Sequence, residues 1–260
     1  MPALFRAALP LLAAATLAAC ASGSLTSPPS AWADARQLVL VTTADWDADH
    51  GQLRRYERAD GEREWHLVGE ASPVMVGRTG SAWGIGLHPM PIGGPQKREG
   101  DGRAPAGVFH IGTAFGYAAD ATTAWPYQAM QASDYCIDVS DSPLYNRIVN
   151  ANAVGTAAVA GSTEPMRRDL HADGDQRYRW GFVIEHNPTH RAGAGSCIFA
   201  HLWKAPGETT AGCTAMAEPA MQQLLGWLQP THKPVFVLLP LTEFGELRQA
   251  WGLPRLEGNR

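Results

Sequence analysis

His201 and Cys213 are the residues of this chain whose types and spacing suit covalent chemistry. Catalysis by a thiol needs a thiolate, a base to generate it and donors for the oxyanion. Cys213 follows Thr209-Thr210-Ala211-Gly212, a run of small residues in which Gly212 permits a tight turn, so that the amides of Gly212 and Cys213 can face a developing negative charge. His201 lies upstream in the strand-like run Phe199-Ala200-His201-Leu202-Trp203, and the intervening loop of about ten residues is long enough to fold Cys213 back beside it. A neutral imidazole within about 3 Å takes the thiol proton, or pairs as imidazolium with the thiolate. On spacing alone, a core histidine and an idle cysteine fit as well.

The elements that would position these two residues read as β-rich. An apolar, β-branched run over Gln37 to Thr43 predicts a first strand, and Leu53 to Arg58 and Glu64 to Gly69 flank Asp60-Gly61 as a hairpin about a tight turn. Further short strands are predicted over Pro73 to Gly77, Gly107 to Gly112, Tyr135 to Val139, Gly181 to His186, Ser196 to Trp203 and Pro234 to Leu239. One interior segment, Glu218 to Gln229, carries Met221, Leu224, Leu225 and Leu228 at helical spacing, and Thr242 to Trp251 predicts a terminal helix with Thr242 as its N-cap.

With 260 residues, 45% of them hydrophobic, the chain is large enough for a sizeable core, and 27 Gly with 19 Pro fall short of low complexity. The 21 basic and 25 acidic residues are too balanced for the positive stripe that a phosphate backbone requires, which excludes nucleic acid as a partner.

Arg6 and the uncharged apolar run after it read as an export signal over residues 1–19, too short to span a bilayer. Its end, Leu17-Ala18-Ala19-Cys20, resembles the bacterial lipobox, which implies a lipidated Cys20, a membrane partner through that lipid and a periplasm-facing lipoprotein of the cell envelope. Ala21 in place of Asp points to the outer membrane. Residues 20–36 read as a flexible tether, 37–240 as the catalytic domain and 241–260 as a tail with helical character. Setting Cys20 aside leaves Cys136, Cys197 and Cys213, an odd number in an oxidising compartment. Connectivity does not follow from spacing; if Cys136 and Cys197 pair, Cys213 is the thiol left over.

Thr210-Ala211-Gly212-Cys213-Thr214-Ala215-Met216, with His201 before it, resembles the Ser/Thr-x-Gly-Cys signature of the L,D-transpeptidase (YkuD-type) catalytic domain. The segment Glu99-Gly100-Asp101-Gly102-Arg103-Ala104-Pro105-Ala106-Gly107-Val108-Phe109 resembles the Thr-Pro-x-Gly-x-Phe stretch upstream in that family, and both motifs occur in the family's order. The resemblance implies a mainly β fold, an L,D-transpeptidase-like β-sandwich with a short helix after the cysteine, without a cofactor or metal. It implies Cys213 as nucleophile, His201 as base, Gly212 and Thr210 in the oxyanion turn, and Leu202 as the residue whose carbonyl orients the imidazole. Its substrates are peptidoglycan stem peptides, attacked between an L-centre of diaminopimelate and a terminal D-Ala to give a thioester. The chain departs from the family pattern at Leu202 (usually Gly), Ala211 (usually His) and Ala215 (usually Arg), and Cys-x-Ala-Met resembles a YafK-like subgroup that also releases wall-linked proteins. Cross-linking or protein attachment, hydrolysis on the same fold, and non-catalytic wall binding therefore remain as alternatives.

Other residues are candidates for the substrate. Lys204 and Arg191, among loop cations that include Arg167 and Arg168, suit stem carboxylates, and Trp203 suits a sugar or stem platform. His186, on a neighbouring strand, reads either as a residue lining the pocket or as a strand-end histidine making ordinary hydrogen bonds. A zinc site from Cys213, His201 and His186 is the weaker alternative, because Pro188 between His186 and His190 opposes the helix that this spacing would need.

Overall fold

The computed structural model describes Met1 and residues 30–91 and 93–256; the signal, Cys20 and the tether up to residue 29 lie outside the described residues. In chain order the strands are β1 (Gln37–Thr43), β2 (His50–Glu57), β3 (His66–Met75), β4 (Ser81–Trp83), β5 (Ala104–Gly116), β6 (Tyr127–Ala129), β7 (Asp134–Cys136), β8 (Ile148–Asn150), β9 (Glu164–Pro165), β10 (Trp180–Ile184), β11 (Phe199–Leu202), β12 (Thr214–Met216) and β13 (Val235–Pro240). The α-helices are α1 (Ala151–Val154), α2 (Arg168–His171), α3 (Glu218–Trp227) and α4 (Leu241–Leu247). The fold is mainly β, with few helices.

A 10-stranded sheet runs in the order β10-β11-β12-β3-β2-β1-β13-β5-β4, with β6 also on β5. Strand β5 pairs with β13 through Gly107–His110 and then with β10 through Ile111–Gly116, so the path returns to its start. At the middle, β1 and β13 lie parallel and are buried along their whole length. This is why their sequences are continuous Val/Leu runs and not alternating ones. Helix α3 packs Met221, Leu224 and Leu225 into this core, and the fully buried Gln37 ties its end to β1, donating to Trp227 O at 2.9 Å and accepting from Gln229 N at 2.8 Å. The helix stops before Gln229 because Pro230 disfavours the helical conformation in the residue ahead of it.

Several boundaries differ from the sequence reading. Trp32 and Ala35, at the end of the expected tether, belong to the main core, and the Trp32 indole donates to Trp251 O at 3.1 Å. The packed domain thus begins before β1. The Asp60-Gly61 connection is a wider loop over residues 58–65, not a two-residue turn. The terminal helix α4 starts at Leu241 after Pro240 and stops at Leu247, which lets Trp251 turn back onto Trp32 and Trp83. No described helix is long and apolar enough to cross a membrane.

A smaller sheet, β8-β7-β9, lies in the segment between β6 and β10 and covers a second apolar cluster containing Phe115, Tyr178, Phe199 and Cys213. The Cys136–Cys197 disulfide joins β7 to the chain just ahead of β11, across a sequence separation of 61 residues. Closing a loop of that size restricts the unfolded chain by about 4 kcal/mol in the entropic account.

In the Ala104–Phe109 motif, the requirement for glycine has a visible cause. Gly107 has φ +134°, and a Cβ there would stand 1.9 Å from His88 Cε1, while His88 Nδ1 accepts the Val108 amide at 3.1 Å. We expect Gly107→Ala to lower stability by about 2 to 4 kcal/mol in urea unfolding, with partial recovery in Gly107→Ala/His88→Ala. Wild-type stability in the single variant would contradict this packing.

Candidate active site

His201 and Cys213 come together because β11 and β12 are adjacent parallel strands, with His201 in register with Ala215 and Cys213 immediately before β12. The loop between them is fastened to the end of β3 by Thr210, whose amide donates to Val76 O at 3.0 Å and whose carbonyl accepts the Arg78 amide at 2.8 Å. The Thr210 hydroxyl then shapes the turn, donating to Cys213 O at 2.7 Å and accepting from Gly212 N at 3.1 Å. Gly212 has φ +150°, and a Cβ there would lie 2.8 Å from Arg103 O. The two sequence motifs therefore meet at Gly212, where any side chain would push them apart.

Both candidate residues line a cavity of about 260 Å³. His201 Nδ1 lies 2.7 Å from Leu202 O. A carbonyl only accepts, so Nδ1 carries the hydrogen and Nε2 holds the lone pair. The Tyr178 ring packs edge-on against the imidazole at a centroid distance of 5.2 Å. Burial lowers the His201 pKa to about 4 against the pull of the Leu202 bond, and Arg177 and Arg168 push it the same way as burial. Cys213 is likewise out of water. Its thiol donates to Cys197 O at 3.6 Å, and its sulfur accepts the Phe199 amide at 3.4 Å. Burial pushes the thiol up to about 12, the Glu164 charge adds to this, and the Phe199 amide opposes it. At neutral pH the resting pair is therefore a thiol and a neutral imidazole.

A charged wall completes the cavity. Tyr178 donates to Glu164 Oε1 at 2.6 Å, and Arg168 Nη1 reaches the same oxygen at 3.2 Å. Behind them Asp175 takes Arg168 Nε at 2.9 Å and Arg177 Nη2 at 2.6 Å. Burial alone would raise Asp175, but the bonds from Arg177 and Arg168 outweigh it and hold the carboxyl below the usual range. Glu164 is pushed up by burial, against the hydroxyl of Tyr178 and the charge of Arg168.

Of the residues singled out from the sequence, the cavity gathers Arg168, His201, Trp203, Lys204, Thr210 and Cys213. Leu202 reaches it through its carbonyl, and the Gly212 amide is occupied by Thr210 Oγ1. Two residues lie elsewhere. His186 is buried against Phe109, its Nε2 on Ala194 O at 2.9 Å and its Nδ1 accepting the Ile85 amide at 3.2 Å, so it is a core histidine and does not converge with Cys213. Arg191 lines a separate cleft with Trp83 and Arg98, because the turn after β10 carries it away from β11. Cys136 and Cys197 do pair, and Cys213 is the free thiol among the described residues. Glu164, Asp175, Arg177 and Tyr178 escaped the sequence reading; the acidic and basic residues dense over Glu164 to Tyr178 were the available signal. Compared with protein-family models, curated proteins and solved structures, the chain matches none.

Two measurements follow from the buried, uncharged pair. Alkylation of Cys213 by iodoacetamide in the resting protein is expected to be slow at pH 7 and to rise about tenfold per unit through pH 9 to 10; a plateau already reached near pH 7 would contradict it. His201 and His186, both lowered from 6.5 to about 4 by burial, bind fewer protons folded than unfolded between those values. Stability therefore falls with pH in that window, by about 2 kcal/mol per imidazole from pH 7 to 5. Glu164 and Glu185, raised from 4.5, bind more protons folded than unfolded just above that value and so offset part of this loss toward the acid end of the same window. A urea midpoint that holds steady from pH 7 to 5 would refute this account.

Proposed function

We propose that this chain is a cysteine acyltransferase of the L,D-transpeptidase type, acting on peptidoglycan stem peptides from a lipid anchor at Cys20 in the bacterial envelope, on the periplasmic side of the outer membrane. The observation that carries the reading is the shared cavity of Cys213 and His201, with Leu202 O on Nδ1 leaving Nε2 free to accept a proton. In this reading the sheet, with α3 following Cys213, corresponds to the family's sandwich and its short helix.

The chemistry follows from the charge states. Carbonyl carbon of the donor meets Cys213 Sγ while Nε2 of His201 takes the thiol proton, so thiolate and imidazolium form only as the tetrahedral intermediate does. In this reading the Cys213 amide serves the oxyanion, because the Gly212 amide is already bonded to Thr210 Oγ1. Collapse of the intermediate breaks the C–N bond, the imidazolium proton passes to the leaving amine, and a thioester on Cys213 remains. An amine then yields a cross-link or an attached protein, and water yields hydrolysis; both share the first half-reaction.

Incubating the full chain in detergent with purified disaccharide-tetrapeptide, followed by intact-protein mass spectrometry, tests this directly. An adduct equal to the stem acyl group less D-Ala is expected on the wild type and not on Cys213→Ala, and His201→Ala should slow its formation about 10²- to 10⁴-fold. Absence of both adduct and product while the stem still binds would overturn the enzyme reading in favour of wall binding.

A further inference from the structure

Arg168 and Arg177 both line the Cys213 cavity, and both are held from behind by the same carboxylate. Asp175 is almost out of solvent; it accepts Arg177 through Nε at 2.9 Å and Nη2 at 2.6 Å, Arg168 through Nε at 2.9 Å, and the Arg177 amide at 3.0 Å. Arg168 Nη1 is used on Glu164. Arg168 Nη2 and Arg177 Nη1 are left with no acceptor among the described residues. Lys204, exposed on the same cavity, likewise has none.

Two guanidinium groups with unfilled donors, their planes fixed by a buried anion, form a receptor for a planar anion. Arg matches a carboxylate through parallel N–H bonds, and side chains already ordered lose little further freedom on binding. Glu164 offsets part of this charge, but its Oε1 is shared by Tyr178 and Arg168, and Lys204 adds a further cation to the cavity. Glu208 is the other acid on the cavity, and it is exposed to solvent, where its field is screened. The two arginines line the same cavity as His201 and Cys213, and their charge bears on the His201 imidazole.

We propose that Arg168 and Arg177, backed by Asp175, form a carboxylate subsite, which makes the preferred acyl donor one with a free carboxylate close to the bond that Cys213 attacks. The choice of a stem peptide as donor rests on the acyl-transfer reading; the subsite itself rests on the arginines. A tetrapeptide stem offers two such carboxylates, that of the terminal D-Ala and that of the diaminopimelate side chain.

Calorimetric titration of the full chain carrying Cys213→Ala measures binding without turnover. The probes are the tetrapeptide stem and two analogues in which one or the other carboxylate is converted to a carboxamide. One of the two amidations is expected to weaken binding about 10- to 100-fold, and the sensitive position identifies which carboxylate is bound. Adding Arg177→Gln should weaken the acid form and bring the acid-to-amide affinity ratio near one, with part of the ratio recovered by Arg177→Lys. Arg168→Gln, with a thermal melt on each variant, guards against loss of fold, and the ratio is insensitive to a uniform loss of active protein. The proposal is overturned if neither amidation changes affinity beyond about twofold, if Arg177→Gln weakens acid and amide forms equally, or if no stem binds. Carboxylate-dependent binding without any thioester on the wild type would instead sink the acyl-transfer reading and leave the subsite standing.

Discussion

Strand β5 pairs in succession with two strands from different parts of the main sheet: β13 over Gly107–His110 and β10 over Ile111–Gly116. Because an open sheet leaves unpaired edges, this double pairing is what brings the far end of the sheet, β10-β11-β12, round to the strands at its middle. The candidate site depends on that closure. His201 and Cys213 sit on β11 and just before β12, and β12 is itself pinned to β3. The backbone of the β5 motif, through Arg103 O, also sets the closest approach to Gly212. A closed sheet thus does for the site what a single hairpin could not: it fixes two adjacent parallel strands from both sides.

Desolvation governs the chemistry that this placement permits. Excluding water from a thiol and an imidazole favours their uncharged forms, so the pair rests neutral and the thiol is protected from indiscriminate attack on solutes. The same dry surroundings strengthen any interaction with charge that develops during a reaction. Each polar contact at the centre is therefore directional: Leu202 O selects the imidazole tautomer, and the Cys197 carbonyl and Phe199 amide hold the thiol between them.

The charged wall comes from a part of the chain that the main sheet does not contain. Glu164 lies on β9 opposite Cys136 of β7, and the disulfide from Cys136 to Cys197 ties that small sheet to the strand carrying His201. Cys197 also offers its carbonyl to Cys213, so one covalent link bears on both the thiol and the wall facing it. Within the wall, Asp175 is buried with two arginines on it, an arrangement that would be costly for a lone carboxylate and is tolerable because each charge is met by directed bonds.

Much of this could be read before any coordinates. Continuous Val/Leu runs mark β1 and β13, helical spacing marks α3, and the small residues before Cys213 mark its turn, because each of these signals lies within a few neighbouring residues. His201 and Cys213 were legible as a pair for the same reason: one short loop separates them. His186 stayed open between two readings because a histidine at a strand end looks alike whether it faces a cavity or the core, and only packing against Phe109 separates the two cases. Trp32 and Trp251, at opposite ends of the chain, join the core through each other, which neither flank announces. Local order along the chain therefore decided the elements and the pairing of Cys213 with His201. The closure of the sheet, the Cys136–Cys197 pairing and the wall of Glu164, Asp175, Arg168 and Arg177 were decided only when distant segments met, since burial and ion pairing are properties of neighbours in space.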